Sequence, residues 1–132
     1  MGSIMSAFSG AAAAASSGPS RVQAFHSSSE WKNHLNAIKD DSSLMVIDFT
    51  ASWCGPCKFI EPAFIDLSNK FTDVIFVKID VDELKEVAQE FSVQAMPTFV
   101  LFRKGKQVDK VVGAKKDELH RKIEFELHRA QV

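Results

Sequence analysis

The stretch Leu44-Met45-Val46-Ile47-Asp48-Phe49-Thr50-Ala51-Ser52-Trp53-Cys54-Gly55-Pro56-Cys57-Lys58 decides how this chain is read. Its first part, Leu44 to Ala51, is an almost unbroken apolar run of strand length, with Asp48 as its one charge. A strand of that kind is covered on both faces, as in a parallel sheet lying between helices. After Cys54 the periodicity changes, and Ile60, Ala63, Phe64, Leu67 and Phe71 recur at helical spacing. The only two cysteines of the chain, Cys54 and Cys57, therefore fall where a buried strand gives way to a helix.

That position makes thiols reactive. A helix N-terminus offers unpaired backbone N–H groups and the positive end of the helix dipole. An anion there is stabilised, so Cys54 ionises more readily than a free cysteine, and the thiolate is the nucleophile. Cys57 follows almost one helical turn later, which lets its sulfur face Cys54. It is placed to attack a mixed disulfide formed at Cys54 and release the reduced target. Gly55 adds no bulk to the turn, and Pro56 is tolerated in a first helical turn. Zinc asks for four ligands, yet no second cysteine pair exists and His26, His34, His120 and His128 lack finger-like spacing. A structural disulfide across so small a loop would remove little chain entropy. The residues favour a dithiol–disulfide redox couple.

Working outward, Arg21 to His26 reads as a short edge strand. Ser27 with Glu30 makes a capping box, opening a helix whose Trp31, Leu35 and Ile38 share a face and which ends near Asp40-Asp41-Ser42-Ser43. Downstream, Pro62 removes one backbone hydrogen bond from the helix after Cys54 and predicts a kink. Val74 to Ile79 reads as a second buried strand, and Asp80-Val81-Asp82 leads to a helix with Leu84, Val87, Ala88 and Phe91 inward. Met96-Pro97-Thr98 precedes a strand from Phe99 to Phe102. Lys104-Gly105 turns that strand into another over Lys106 to Val112, an antiparallel hairpin. Gly113 ends it. A last amphipathic helix carries Leu119, Ile123 and Leu127, with Lys115, Lys116, Asp117, Glu118, Arg121 and Lys122 as a solvated face. The order β-α-β-α-β-α-β-β-α predicts an α/β fold, one mixed sheet with helices on both faces.

At 132 residues the chain suits one domain behind a short tail. Hydrophobic residues make up 45%, enough for a core, and eleven phenylalanines without a tyrosine point to aromatics as its main filling. A formal net charge of −1 with no long block of like charge gives no footing for nucleic acid. Two cysteines in one tight motif fit a reducing compartment. No apolar run is long enough to span a membrane.

Residues 1–20 stand apart: Ala/Ser/Gly-rich and without a charged side chain. They are expected to be a disordered extension, leaving 21–132 as the folded domain. The start, Met1-Gly2-Ser3-Ile4-Met5-Ser6, matches the N-myristoylation pattern with Gly2 as acceptor. A secretory signal would want a charged start and a stronger apolar stretch. A mitochondrial transit peptide would be Ser-rich and acid-poor, which fits, but also rich in Arg, and Arg21 alone precedes Lys32. An inert spacer is the plain alternative. One acyl chain would give only marginal, reversible membrane attachment, and the tail has neither a polybasic run nor a cysteine to add a second anchor.

Asp48 interrupts the most hydrophobic strand, and a buried carboxylate is costly unless paired. Burial raises its pKa, so Asp48 is a candidate proton acceptor for Cys57. Lys78, inside the neighbouring apolar strand, is a candidate charge partner. A satisfied structural Asp48–Lys78 pair is the competing reading. Pro97 cannot donate into the strand it precedes and belongs at a strand start or special turn.

With these residues together, the chain from about residue 21 to 130 resembles a thioredoxin. Trp53-Cys54-Gly55-Pro56-Cys57-Lys58 is similar to that family's active-site signature, and Asp48, Pro62, Lys78, Met96-Pro97-Thr98 and Gly113 align with its other marks. Asp48-Phe49-Thr50-Ala51-Ser52 looks like the plant h-type, and the tail looks like its subgroup with an N-terminal extension that can be acylated. The resemblance implies the thioredoxin fold, a five-stranded mixed sheet with strands in the order 1-3-2-4-5 along the chain and four flanking helices. It implies a cis Pro97 against the disulfide, and a surface of Trp53, Gly55, Pro56, Met96, Pro97, Gly113 and Ala114 that docks target proteins. It also implies a protein-disulfide reductase with no bound cofactor or metal, fed by NADPH through a flavin-containing thioredoxin reductase, with glutaredoxin as an alternative donor. A cytosolic monomer is the form it implies. Thr50 stands where many bacterial members carry a second tryptophan, which bears on exchange with bacterial reductases.

Overall fold

Alternation along the central strands sorts the apolar side chains onto two faces of a sheet. The computed structural model describes residues 19–129, so the expected disorder of the tail and the acylation of Gly2 lie outside the described residues. Its elements are β1 (Gln23–Phe25), α1 (Ser28–Ile38), β2 (Met45–Thr50), α2 (Gly55–Lys70), β3 (Ile75–Asp80), α3 (Lys85–Glu90), β4 (Thr98–Arg103), β5 (Lys106–Val112) and α4 (Lys116–Arg129). The sheet runs β1-β3-β2-β4-β5. β1 and β2 both lie parallel to β3, β4 lies antiparallel to β2, and β5 closes the hairpin with a register shift at Leu101/Phe102. This is the mixed five-stranded sheet with four helices that the element order predicts.

In β2, Met45, Ile47 and Phe49 join Trp31, Val77, Ile79, Leu84, Val87 and Val100 in one core, on the side of α1 and α3. Leu44 and Val46 point the other way, to Ile60, Phe64, Leu67, Phe76, Phe99, Leu119 and Ile123 on the side of α2 and α4. The rings of Phe64 and Phe76 meet edge to face at 5.3 Å. Truncating a buried Phe of this kind to Ala costs roughly 3–5 kcal/mol. By the same period of two, Asp48 in β2 and Lys78 in β3 face the α2 side, and the register sets them side by side.

Local signals act as read, with differences at their edges. Ser27 Oγ accepts the Glu30 N–H at 3.2 Å, but the Glu30 carboxylate reaches back to the His26 N–H at 3.0 Å. The capping box therefore satisfies a donor one residue further out. Helix α2 runs through Pro62 without interruption. Arg21 anchors the start of the fold, donating to the carbonyls of Ser68 at 2.6 Å and Thr72 at 3.0 Å near the end of α2. Cations suit a helix C-terminus, where carbonyls lack partners. Among the described residues Phe59, Phe125 and Trp53 are exposed, so three of the aromatics stay outside the core.

The charged residues expected on the solvated face of α4 are exposed or half-buried, but the helix also carries a buried charge outside that set. Glu126 is only 2% exposed. Its carboxylate accepts from Arg103 at 3.2 Å and from Arg129 at 2.9 Å, and Arg103 also donates to the Glu126 carbonyl at 3.1 Å. A buried charge survives only when paired, and this pair ties α4 to β4.

Candidate active site

β2 feeds the site through a tight turn. The Cys54 N–H donates to the Ala51 carbonyl at 3.2 Å, and α2 then begins at Gly55 with Pro56 in its first turn. Cys54 is the N-cap, extended at φ −91° and ψ 112°. Its Sγ takes the place of a capping oxygen, accepting the Cys57 N–H at 3.1 Å. Cys54 and Cys57 are joined as a disulfide with their Cα atoms 5.3 Å apart. Both sulfur residues are recessed, whereas Gly55, Pro56 and Trp53 around them are exposed. Trp53, 66% exposed, is held at one end by its indole N–H, which donates to Asp82 at 2.9 Å.

The opposite wall comes from the approach to β4. The Met96–Pro97 peptide is cis. Cys54 Sγ lies 3.6 Å from the Met96 carbonyl oxygen. Gly113 donates its N–H to the Pro97 carbonyl at 2.8 Å, from a backbone at φ +104° that L side chains rarely adopt. Trp53, Gly55, Pro56, Met96 and Pro97 thus surround the disulfide, and Gly113 braces Pro97. Ala114 follows Gly113 but packs on the α2/α4 core.

Asp48 is 3% exposed, and its Oδ1 has no hydrogen-bond partner. Burial pushes its pKa up to about 7; the Lys78 charge opposes that rise and the Glu61 charge adds to it. The structural Asp48–Lys78 pair considered from the sequence does not close. The Lys78 ammonium instead donates to Glu61 at 2.8 Å. Lys78 and Glu61 are both partly exposed, 35% and 43% by side chain. An ion pair there keeps much of its hydration, whereas drawing the ammonium inward to Asp48 would strip it.

Glu61 escaped the reading from sequence. It sits four residues after Cys57 on α2, so the two share a helix face, and that spacing is the signal that would have found it. Both line a groove of about 310 Å³ beside the disulfide, with Lys58, Lys78, Ser52 and Asp80. The Trp53–Asp82 bond spans 29 residues, and nothing local in the sequence points to it. Among the described residues no group of three ligating side chains gathers to hold a metal.

A recessed sulfur at a helix N-terminus with a second sulfur one turn on defines a thiol–disulfide oxidoreductase. The thioredoxin family model matches residues 23–125. The chain is 57% identical over 112 residues to Thioredoxin H2 of Arabidopsis thaliana, covering 85% of this chain and 84% of that one. It is 56% identical over 125 residues to Thioredoxin H2-2 of Oryza sativa subsp. japonica, covering 93% of each. It superposes on the crystal structure of thioredoxin NaTrxh from Nicotiana alata with a TM-score of 0.79 and 64% identity, over 82% of this chain and 94% of that one. This chain belongs to the thioredoxin family, among the plant h-type members.

Proposed function

We propose that the chain is a protein-disulfide reductase in which Cys54 is the nucleophile and Cys57 the resolving thiol. In the reduced protein the Cys54 thiolate attacks one sulfur of a target disulfide. The target S–S bond breaks, a Cys54–target mixed disulfide forms, and the other target sulfur leaves as a thiolate that takes up a proton. Cys57 then gives its proton to Asp48 and attacks Cys54 Sγ. The Cys54–Cys57 disulfide forms and the second target thiol departs. Two electrons have passed to the target, and NADPH restores them through thioredoxin reductase.

The observation that carries this reading is the Cys57 N–H donated to Cys54 Sγ at the start of α2. The same amide and helix dipole stabilise the thiolate once the disulfide opens. Trp53, Gly55, Pro56, Met96, Pro97, Gly113 and Ala114 form the docking surface for targets, and the exposure of Trp53, Gly55 and Pro56 beside recessed sulfurs supports the first three.

The finer parts of the reading follow. Residues 21–132 form the domain and 1–20 its extension; the protein works in the cytosol as a monomer, with acylated Gly2 giving at most reversible membrane contact. Glutaredoxin serves as a second electron donor. Mass spectrometry of the mature N-terminus tests the acylation. The central reading is tested by NADPH consumption during reduction of a model protein disulfide, using this protein, a plant thioredoxin reductase and Cys54→Ser as control. Turnover that vanishes in Cys54→Ser supports it. Equal turnover in the variant would overturn it.

A further inference from the structure

Side-by-side placement of Asp48 and Lys78 in the parallel register of β2 and β3 puts the ammonium within side-chain reach of either of two carboxylates. One is buried and lacks a partner on Oδ1. The other, Glu61, takes the ammonium at 2.8 Å on the partly exposed wall of the groove. The lysine thus bonds the carboxylate on α2 rather than its register neighbour.

We propose that Glu61 is a positioning residue: by holding the Lys78 ammonium on the groove wall it keeps that charge off Asp48, so that Asp48 can carry the proton exchanged with Cys57. The proposal deepens the reading above and rests on Asp48 being that proton acceptor. Glu61 touches neither target nor sulfur in this role; it acts through Lys78.

Among the described residues two charges act on Asp48, Lys78 from β3 and Glu61 from α2. Cys57, its proton partner in the proposed reaction, lies about one turn before Glu61 on the same helix. From β4 the register partner of Asp48 is Phe99, which carries no charge. His26, Lys58, Asp80 and Glu83 stand on the groove lining, with His26 and Glu83 paired to each other at 3.0 Å. The signs then follow. Replacing Glu61 by Gln removes one negative charge and frees Lys78 to swing toward Asp48, and both changes favour ionised Asp48. Replacing Lys78 by Gln removes the cation that holds the Asp48 pKa down and favours the protonated form.

The test is a ¹³C NMR titration of the Asp48 carboxyl in the oxidised protein, where neither cysteine titrates. Glu61→Gln is expected to lower the Asp48 midpoint by about half a unit, a modest figure because the pair is partly solvated. In a Lys78→Gln background the same substitution is expected to produce clearly less. An unchanged midpoint in Glu61→Gln overturns the proposal. So does an equal shift with Lys78 absent, which would mean direct repulsion and no held ammonium. The underlying reading has its own readout, the single-turnover rate of mixed-disulfide resolution in Asp48→Asn. A normal rate there removes the proton role of Asp48, and the positioning proposal with it, whatever the midpoints do, while the assignment of Cys54 and Cys57 is decided separately by Cys54→Ser. A slowed rate with an immobile Glu61→Gln midpoint sinks the proposal alone. Both holding together also requires the acid limb of the resolution rate in Glu61→Gln to move down with the NMR midpoint.

Discussion

The Cys57 N–H donates to Cys54 Sγ across 3.1 Å, so the first cysteine caps the helix that carries the second. One contact links the local fold to the chemistry. A helix needs an acceptor at its start, and a sulfur that fills that place is more stable as an anion.

The reactivity of the reduced protein should show it. Limiting iodoacetamide is expected to modify Cys54 before Cys57. The alkylation rate should rise with a midpoint below the value of about 8.5 for a free cysteine. Mass mapping and a pH profile give both results. Modification of Cys57 first, or a midpoint at the free value, would take the helix N-terminus out of the explanation.

Asp48 makes a prediction about stability. Its folded-state pKa of about 7 lies above the ordinary 3.8, so the folded protein holds this proton longer than the unfolded chain does. Below about pH 4 both states are protonated and the carboxyl has no linkage effect. As pH rises from about 4 to about 7 the native state loses stability, and the loss is complete above that window, with a ceiling of about 4 kcal/mol. Asp48→Asn should therefore raise the urea midpoint at about pH 8 and far less at about pH 4. An equal gain at both would mean that packing, not ionisation, sets the effect.

The buried end of α4 makes another. Arg103→Met leaves the Glu126 carboxylate buried with Arg129 alone, and is expected to destabilise the protein by about 2–3 kcal/mol. Arg129 is 54% exposed by side chain. Its loss should cost about 1 kcal/mol or less. Urea denaturation of the two variants at neutral pH distinguishes them; comparable losses would contradict the asymmetry.

These cases show where sequence reading works and where it stops. The apolar run of β2, the period of two that sends Asp48 and Lys78 to one face, and the helix opening at Cys54 are local patterns. Local patterns survive folding because burial enforces them. Glu126 is hidden from the sequence because a charged residue does not mark a core position, although Leu119, Ile123 and Glu126 share a helical face. The Lys78–Glu61 pair is hidden for a different reason. Register predicts which residues are neighbours, but hydration decides which carboxylate a long lysine chooses. The cis Met96–Pro97 bond was legible only through family resemblance, since its neighbours come from a loop and from Gly113 on the far side of the hairpin.

Trapping of a target tests the division of labour between the two sulfurs most directly. Cys57→Ser, reduced and mixed with a disulfide-bonded protein, is expected to accumulate a covalent adduct that disappears on treatment with a thiol reductant. Peptide mapping should locate the bond at Cys54, and Cys54→Ser should accumulate no such adduct. Adducts formed as readily through Cys57 in the Cys54→Ser protein would contradict the assignment of Cys54 as the nucleophile.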